Sequence, residues 1–442
     1  MTLTPKGFTR VTDESSYEKS LSGLDTFQAQ AVTSDAENIV LRAPAGSGKT
    51  KSIIAAIAAY RYEHLNDRIC AITYTRAARA EMEARLQELG VHDVEVTTIH
   101  VWSRNLLNDL SIKYDFKIRV LEENQIKSIL EELVEEYIKR SRVKKINIGI
   151  LYTYITGSKN MDITDNYRRT LNALELRYIN YKRDNGLYDF TDYPLYLFNV
   201  LEAYDEKVYN IDALFVDEFQ DVDEIQLEIF KKVLTNKKFF VGDEWQSIFQ
   251  FRGADGLVFK KLEDFEVYKL KNNYRSYQEI IDYAATVYLK LRHDVDDRDC
   301  YISEVMYSHS SGINCARGQG GQVAVINPFG RIYRSDNWTM GSSVNEIFNK
   351  FMKLKPMILC RTNKQVKAIE EEKYFEVSTV HQAKGLEYKS VIVIDTTING
   401  SEDLNIAYVA MTRAEDNLLV INWQQFEHLF KMYMNKNTLG GF

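Results

Sequence analysis

A chain of 442 residues, 45% hydrophobic and 27% charged, has the length for roughly two to three domains and the apolar content to bury their cores. Its net charge of −7 excludes a uniformly basic nucleic-acid coat but leaves room for a local basic groove. Cys70, Cys300, Cys315 and Cys360 lie far apart without a CxxC pair, which argues against a zinc ribbon, an iron–sulfur site or a disulfide framework and suits a reducing cytoplasm. The opening "MTLTPKGFTRVTDESS" lacks the apolar core of a signal peptide, and the longest apolar stretch, "IIAAIAAY" from Ile53, is too short to cross a bilayer, so no membrane partner is expected.

In chain order, the first strand is "NIVLRA" from Asn38, apolar throughout as a strand covered on both faces should be. It runs into "APAGSGKT" (Ala43 to Thr50), followed by a helical pattern. In such a loop, small residues let backbone N–H groups close around phosphate oxygens at the positive end of a helix. Ala45, Gly46, Ser47 and Gly48 form the cradle, Lys49 reaches the β and γ phosphates, and Thr50 holds Mg²⁺. The strict pattern has glycine where Ala43 stands, and Pro44 cannot donate an N–H. A second strand, "ICAITYT", starts at Ile69.

From about Leu106 to Tyr188 the chain is rich in Glu, Lys, Leu, Ile and Tyr at helical spacing, as in "IKSILEELVEEYIKRSRVKK", and reads as a helical insertion with a solvated charged face. Strands resume with "ALFVDE" from Ala213 and "KFFVGD" from Lys238. The first ends in Asp217–Glu218, placing one carboxylate near Mg²⁺ and a second where it can activate water, which hydrolysis needs and simple nucleotide binding does not. "SHSSGINCARGQGG" from Ser308 reads as a surface loop. A second strand set follows: "QVAVIN" from Gln322, "PMILCRT" from Pro356, "SVIVIDT" from Ser390 and "NLLVIN" from Asn417. Strands alternating with helices in two sets predict two α/β lobes and a Mg-dependent nucleotide hydrolase.

The remaining segments make the chain resemble the UvrD/Rep/PcrA group of superfamily 1 DNA helicases. "LDTFQAQAV" resembles the Q motif, "TYTRAARAEM" motif Ia, "TTIHVWS" motif Ib and "VDEFQD" motif II. "VGDEWQSIFQFRGAD" resembles motif III, "NNYRS" motif IV, "TVHQAKGLEY" motif V and "AYVAMTRA" motif VI, all in family order. The resemblance implies that Gln28 reads adenine, Tyr274 stacks on it, and Gln246 senses the γ-phosphate. It implies that Arg275 and Arg413 reach that phosphate from the second lobe and that Glu387 contacts the nucleotide at the same seam. Tyr74, Phe249 and Phe251 match positions where the family sets rings against bases, worth roughly 1–3 kcal/mol per base. Thr75, Arg76, Thr98, His100, Arg252, His381 and Lys384 fall in motifs that line the single strand. Lys51 stands where the best-known members carry arginine beside adenine, and Leu404 and Asn405 replace arginines often seen before motif VI.

The implied fold is α/β: two RecA-like doubly wound parallel-sheet lobes with a helical insertion in the first. The expected divisions are 1–105 (first part of lobe 1A), 106–188 (insertion 1B), 189–275 (second part of lobe 1A) and 276–442 (lobe 2A). Between Asn363 and motif V there is space for one helix and a strand, so the regulatory 2B domain of the better-known members is expected to be missing, and no nuclease domain is expected after motif VI. The resemblance implies an ATP-dependent helicase or translocase moving 3′ to 5′ on single-stranded DNA and on tailed or forked duplexes. The alternatives are a DNA-stimulated motor subunit working with a partner nuclease in repair or anti-phage defence, and a regulatory ATP switch; the protein partner expected, if there is one, is a nuclease or a replication or repair factor.

Overall fold

The computed structural model of the protein describes residues 14–141, 143–156, 163–208, 211–248, 256–291, 300–301, 311–327, 331–336, 338–370, 375–395, 397–398 and 401–438. The first lobe opens with α1 (Glu14–Leu21), α2 (Thr26–Val32), β1 (Asn38–Arg42) and α3 (Lys49–Glu63). It continues through β2 (Ile69–Thr73), α4 (Arg76–Glu88), β3 (Val94–Thr98) and α5 (Ile99–Tyr114). Three helices then leave the lobe: α6 (Glu123–Arg140), α7 (Ile148–Ile155) and α8 (Asp165–Asn185). The chain returns with α9 (Tyr193–Ala203), β4 (Ala213–Val216), α10 (Glu224–Lys232), β5 (Lys237–Gly242) and β6 (Glu266–Lys269).

The six strands of this lobe are all parallel and ordered β3-β2-β4-β5-β1-β6. Alternation along each strand feeds two cores. Ile39, Leu41, Ala71, Phe215, Phe239 and Val241 face one helical layer, and Val40, Cys70, Ile72, Leu214, Val216 and Phe240 face the other. Burial on both faces is why these strands read as unbroken apolar runs, and each large side chain so buried contributes roughly 1.5–3 kcal/mol.

The inserted bundle has its own core, with Ile126, Leu130, Val134, Leu151, Tyr154, Leu171, Leu174 and Tyr178 buried. Helix α5 does not belong to it, because Ile99, Trp102, Leu106 and Leu107 are buried in the first lobe. A boundary at residue 106 would cut this helix. The neck lies instead where Val120 bridges Tyr188. There Lys182 is buried against Asp189 (2.8 Å) and Asp192 (2.5 Å), and the Tyr178 hydroxyl donates to Asp189 (3.0 Å).

The second lobe begins with β7 (Asn272–Asn273), α11 (Gln278–Leu291), β8 (Cys300–Tyr301), β9 (Asn314–Cys315), β10 (Gln322–Ile326) and β11 (Ile332–Arg334). It goes on through α12 (Val344–Lys353), β12 (Met357–Cys360), α13 (Asn363–Glu370), β13 (Val377–Thr379) and β14 (Tyr388–Asp395). It closes with β15 (Thr397–Ile398), α14 (Ser401–Met411), β16 (Ala414–Asn422) and α15 (Trp423–Thr438). Its main sheet is ordered β11-β10-β16-β14-β12-β13 and is parallel except for β11. Again one set of side chains (Val323, Val325, Val391, Val393, Leu418, Val420) and its alternate (Ala324, Ile326, Ile392, Ile394, Leu419, Ile421) fill separate cores. Between β12 and β14 the described elements are one helix, α13, and one short strand, β13.

Candidate nucleotide cleft and nucleic-acid face

The phosphate loop joins β1 to α3 and is shaped by two left-handed glycines, Gly46 (φ +69°) and Gly48 (φ +84°). Pro44 cannot donate, but its carbonyl accepts from the Ser47 N–H (3.2 Å). Two elements grip the loop from outside. Gln28 is 1% exposed; its amide nitrogen donates to the Ser47 carbonyl (2.8 Å), and its amide oxygen accepts from the Asp25 N–H (3.1 Å). It is a strut beneath the loop. On the other side, Asn273 donates to the Ala45 carbonyl (2.6 Å) and the Tyr274 N–H to the Gly46 carbonyl (2.8 Å). The Tyr274 ring is largely exposed, while its hydroxyl and Asn272 both donate to Asp25. Lys51 donates to the Gly23 carbonyl (2.5 Å) and so pins the turn before α2 onto α3.

The ends of β4 and β5 supply the acids. Asp217 accepts from the Glu218 N–H (2.8 Å), and Glu218 lies 3.9 Å from the Lys49 ammonium. Glu218 has φ +50°, an uncommon conformation for a non-glycine residue and a form of strain found at functional sites. Burial and the neighbouring Glu218 charge push the Asp217 carboxyl up. Burial works the same way on Glu218, but Lys49, Lys384, the Gln220 amide and Arg413 outweigh it and hold that carboxyl ionised well below its usual range. One buried acid is therefore short of positive charge and its neighbour is surrounded by it. Among the described residues no cluster of three or more His, Cys, Asp or Glu is placed to hold a metal by itself. Mg²⁺ binds through one or two protein oxygens with phosphates and water making up the rest, and the buried Asp217, short of positive charge, is a carboxylate that would suit it. Thr50, in the first turn of α3, is the other oxygen donor of the expected pair.

Gln220 extends this site. It donates to Glu218, and its oxygen accepts from the Asp243 N–H (2.9 Å). Asp243 in turn accepts from the Gln246 amide (2.6 Å) and the Trp245 N–H (3.2 Å). From here motif III is embedded in the second lobe. The Trp245 ring stacks on Tyr288 (4.4 Å) and meets Tyr408 edge-on (5.3 Å), and Ile248 is buried in that lobe's core. Asn405, one of the two departures noted before motif VI, donates to the Ser247 carbonyl (2.7 Å) and so carries a contact across the lobes.

Both arginines expected to act as fingers lie near the buried acids. Arg275 donates to Glu387 (2.7 Å) and to the Thr412 carbonyl (3.3 Å). Arg413 is 1% exposed; its Nε donates to the Val409 carbonyl and Nη1 to the Leu386 carbonyl, both at 3.1 Å, while Nη2 has no hydrogen-bond partner. Burial and the nearby Arg275 lower its affinity for a proton, to about 9. Two guanidinium groups brought together in a buried cleft, one with an unsatisfied N–H, call for an anion between the lobes. The Ser47 hydroxyl is likewise buried without a partner.

The nucleic-acid positions are spread more widely. Because β2 and β3 pair with Thr73 opposite Thr98, Tyr74, Thr75, Arg76, Thr98 and His100 gather at one end of the sheet. Thr75 caps α4, accepting from the Ala78 N–H (3.1 Å), and both Thr75 and Arg76 are exposed. His381 follows β13 and is half-buried. Lys384, expected along the DNA, is 11% exposed here and donates to Asp221 (2.5 Å) and the Gln246 carbonyl (3.1 Å). Burial pushes the Asp221 carboxyl up to about 6, and the cation answering that buried acid is Lys384. Phe249, Phe251 and Arg252 lie outside the described residues.

The class follows from this geometry: a P-loop protein of two RecA-like lobes, with the phosphate loop, the buried acids and two arginines at their seam. Residues 24–266, more than half of the chain, match the UvrD/REP helicase N-terminal domain, and residues 374–421 match the UvrD-like helicase C-terminal domain. The chain belongs to the UvrD/Rep helicase family. It is 27% identical to a probable DNA helicase of Mycoplasma pneumoniae, over 90% of this chain and 83% of that protein. It is 30% identical to the putative ATP-dependent DNA helicase YjcD of Bacillus subtilis, over 61% of this chain and 38% of the relative. It is 26% identical to the ATP-dependent DNA helicase Rep of Buchnera aphidicola, over 61% of this chain and 45% of the relative. The chain thus spans most of the first relative and less than half of the other two. No helix among the described residues is long and apolar enough to cross a membrane.

Sequence reasoning missed Asp25, Gln220, Asp221, Asp243 and Asn273 as parts of the site. All lie within or beside recognisable motifs, so the signal was proximity to a motif, and the missing knowledge was which neighbour each would meet.

Proposed function

We propose that the protein is an ATP-dependent DNA helicase or translocase that moves 3′ to 5′ on single-stranded DNA and couples Mg-ATP hydrolysis to opening of tailed or forked duplexes. The observation that carries this reading is the meeting of Arg275 and Arg413, from one side of the cleft, with Lys49 and the ionised Glu218 on the other. A protein that only stored nucleotide would need no such pair around an activating carboxylate.

The chain's own groups divide the work. The loop N–H groups and Lys49 bind the triphosphate, and Thr50 and Asp217 would hold Mg²⁺, which when bound neutralises phosphate charge. Glu218, kept ionised by its cationic neighbours, orients a water and takes its proton. Arg275 and Arg413 neutralise charge on the transferring phosphoryl, a contribution of about 10³–10⁵ in rate for a well-placed finger. Motif III answers to both lobes at once: Asp243 ties it to the acids, and Trp245 and Ile248 tie it to lobe 2. Closure around the triphosphate therefore moves the segment leading to Phe249 and Phe251, the expected base platforms.

The test is ATP hydrolysis with and without single-stranded DNA, beside strand displacement on 3′- and 5′-tailed duplexes. The expected outcome is DNA-stimulated turnover and release from the 3′-tailed substrate. Absence of hydrolysis under both conditions would overturn the proposal. DNA-stimulated hydrolysis without strand displacement would make the chain a motor that needs a partner.

A further inference from the structure

Arg317 lies outside every nucleotide motif, in the stretch whose composition reads only as a surface loop, yet it touches the backs of both finger segments. One guanidinium nitrogen donates to the carbonyl of Arg275 (2.9 Å). The other donates to Asp416 (2.6 Å), three residues beyond Arg413 at the start of β16. The guanidinium plane also lies 4.0 Å from the centre of the Tyr277 ring. Around it the two segments are laced together: the Ser276 hydroxyl donates to the Ala414 carbonyl (2.6 Å) and the Tyr277 N–H to the Glu415 carbonyl (3.1 Å). The loop itself is held in place. Asn314 and Cys315 pair with Asn272 and Asn273, the Ala316 N–H donates to the Asn273 carbonyl (2.8 Å), and the Gly320 and Gly321 N–H groups donate to Glu279.

We propose that Arg317 is a positioning residue for ATP hydrolysis: it sets the spacing of Arg275 and Arg413 by bonding the backbone of one finger and the strand that follows the other. The chemistry supports a geometric role over a charge role. Arg317 and Asp416 are each about one-third exposed, 29% and 31%, and such an ion pair adds little stability of its own. A planar fork that serves a carbonyl and a carboxylate together while stacked on a ring fixes direction, which lysine cannot reproduce. Each finger guanidinium is already held by two hydrogen bonds, Arg275 to Glu387 and the Thr412 carbonyl and Arg413 to the Val409 and Leu386 carbonyls, so what is left to fix is the spacing of the segments that carry them. Their backbones are therefore where alignment is set.

The inference rests on the hydrolytic reading above and is tested with the full chain. Arg317→Gln should lower the DNA-stimulated kcat by about 10- to 100-fold, the loss that a displacement near 1 Å produces. KM for ATP and affinity for ADP should change little, while affinity for ADP with aluminium fluoride, which mimics the transferring phosphoryl, should fall in step with kcat. Arg317→Lys should recover only part of the rate. Asp416→Asn should act in the same direction, and the Arg317→Gln/Asp416→Asn double variant should be no worse than Arg317→Gln alone. If kcat of Arg317→Gln stays near wild type, or if ADP and its aluminium fluoride complex weaken equally, Arg317 has no positioning role. Should Arg317→Gln fail to fold, Arg317→Lys and Asp416→Asn carry the same comparison. A wild-type chain that hydrolyses no ATP would remove the proposed function and this role together, whereas an active wild type with an equally active Arg317→Gln would remove this role alone.

Discussion

Replacing Gly46 by alanine should separate nucleotide binding from catalysis, because the new methyl group would be driven into the segment that carries Arg275. A Cβ at this position would stand 2.6 Å from the Asn273 amide nitrogen, 3.1 Å from its Cγ and 2.8 Å from the Arg275 Cβ. Ordinary contact begins near 3.4 Å, so the motif IV segment must retreat by most of an ångström. That movement breaks the Asn273 bond to the Ala45 carbonyl and the Tyr274 bond to the Gly46 carbonyl, and it withdraws the Arg275 finger. The backbone adds its own cost of about 1–2 kcal/mol, because φ is +69° there. A misplacement of this size should cost about 10²-fold in kcat. The loop N–H groups and Lys49 remain, so affinity for ADP should fall much less. Steady-state ATPase with single-stranded DNA, read beside fluorescent ADP binding, measures both quantities. Gly186→Ala is the control, since φ is +61° with nothing within 4 Å of its Cβ. It imposes similar backbone strain without crowding and should leave kcat unchanged. A Gly46→Ala kcat within about threefold of wild type, less than 1 kcal/mol of barrier, would refute the claim that motif IV is seated on this glycine.

Glu218→Gln should reduce ATP hydrolysis by about 10²–10⁴-fold while leaving ATP binding intact, measured by single-turnover hydrolysis and nucleotide affinity. Lys182→Met should destabilise the protein by about 3–5 kcal/mol in urea unfolding, because it leaves Asp189 and Asp192 facing each other in a buried neck. Burial alone would raise the Asp189 carboxyl, but Lys182 outweighs it and holds it low. The stabilisation from Asp189 is thus present at neutral pH and is lost as pH falls through its depressed value, so the gap between wild type and Lys182→Met should narrow in acid. Phe249→Ala with Phe251→Ala should weaken single-strand binding by about 1–3 kcal/mol per base lost, with basal ATP hydrolysis kept; a double variant that loses both together would make the rings structural.

Much of the architecture was legible because its signals are local. Unbroken apolar runs such as "ALFV" and "MILC" mark strands buried on both faces, and they fall where β4 and β12 lie. The phosphate loop and the Asp217–Glu218 pair were readable because turn chemistry and strand-end acids act over a few residues. The insertion was visible as a change in composition, but its neck was not. Leu106 continues the same helical pattern whether it packs in the bundle or in lobe 1, and only the partners of Trp102 and Leu107 decide between them.

What the tertiary structure alone decided are relations between segments far apart in sequence. Nothing in the sequence around Lys384 names Asp221 as its partner, and its ammonium crosses to that residue because a buried acid in one lobe draws the nearest cation from the other. Asp25 caps α2 with one oxygen and receives Asn272 and Tyr274 with its second, joining residues that the sequence holds nearly 250 positions apart. Arg317 offers no motif at all, and its meaning comes from lying between Arg275 and Asp416 once the two strand ends are brought together. By itself, the sequence determined which chemical groups the chain possesses and which short elements carry them. The closing of two sheets against each other determined which of those groups meet, because hydrogen bonds and ion pairs depend on separations of a few ångströms that no local pattern encodes.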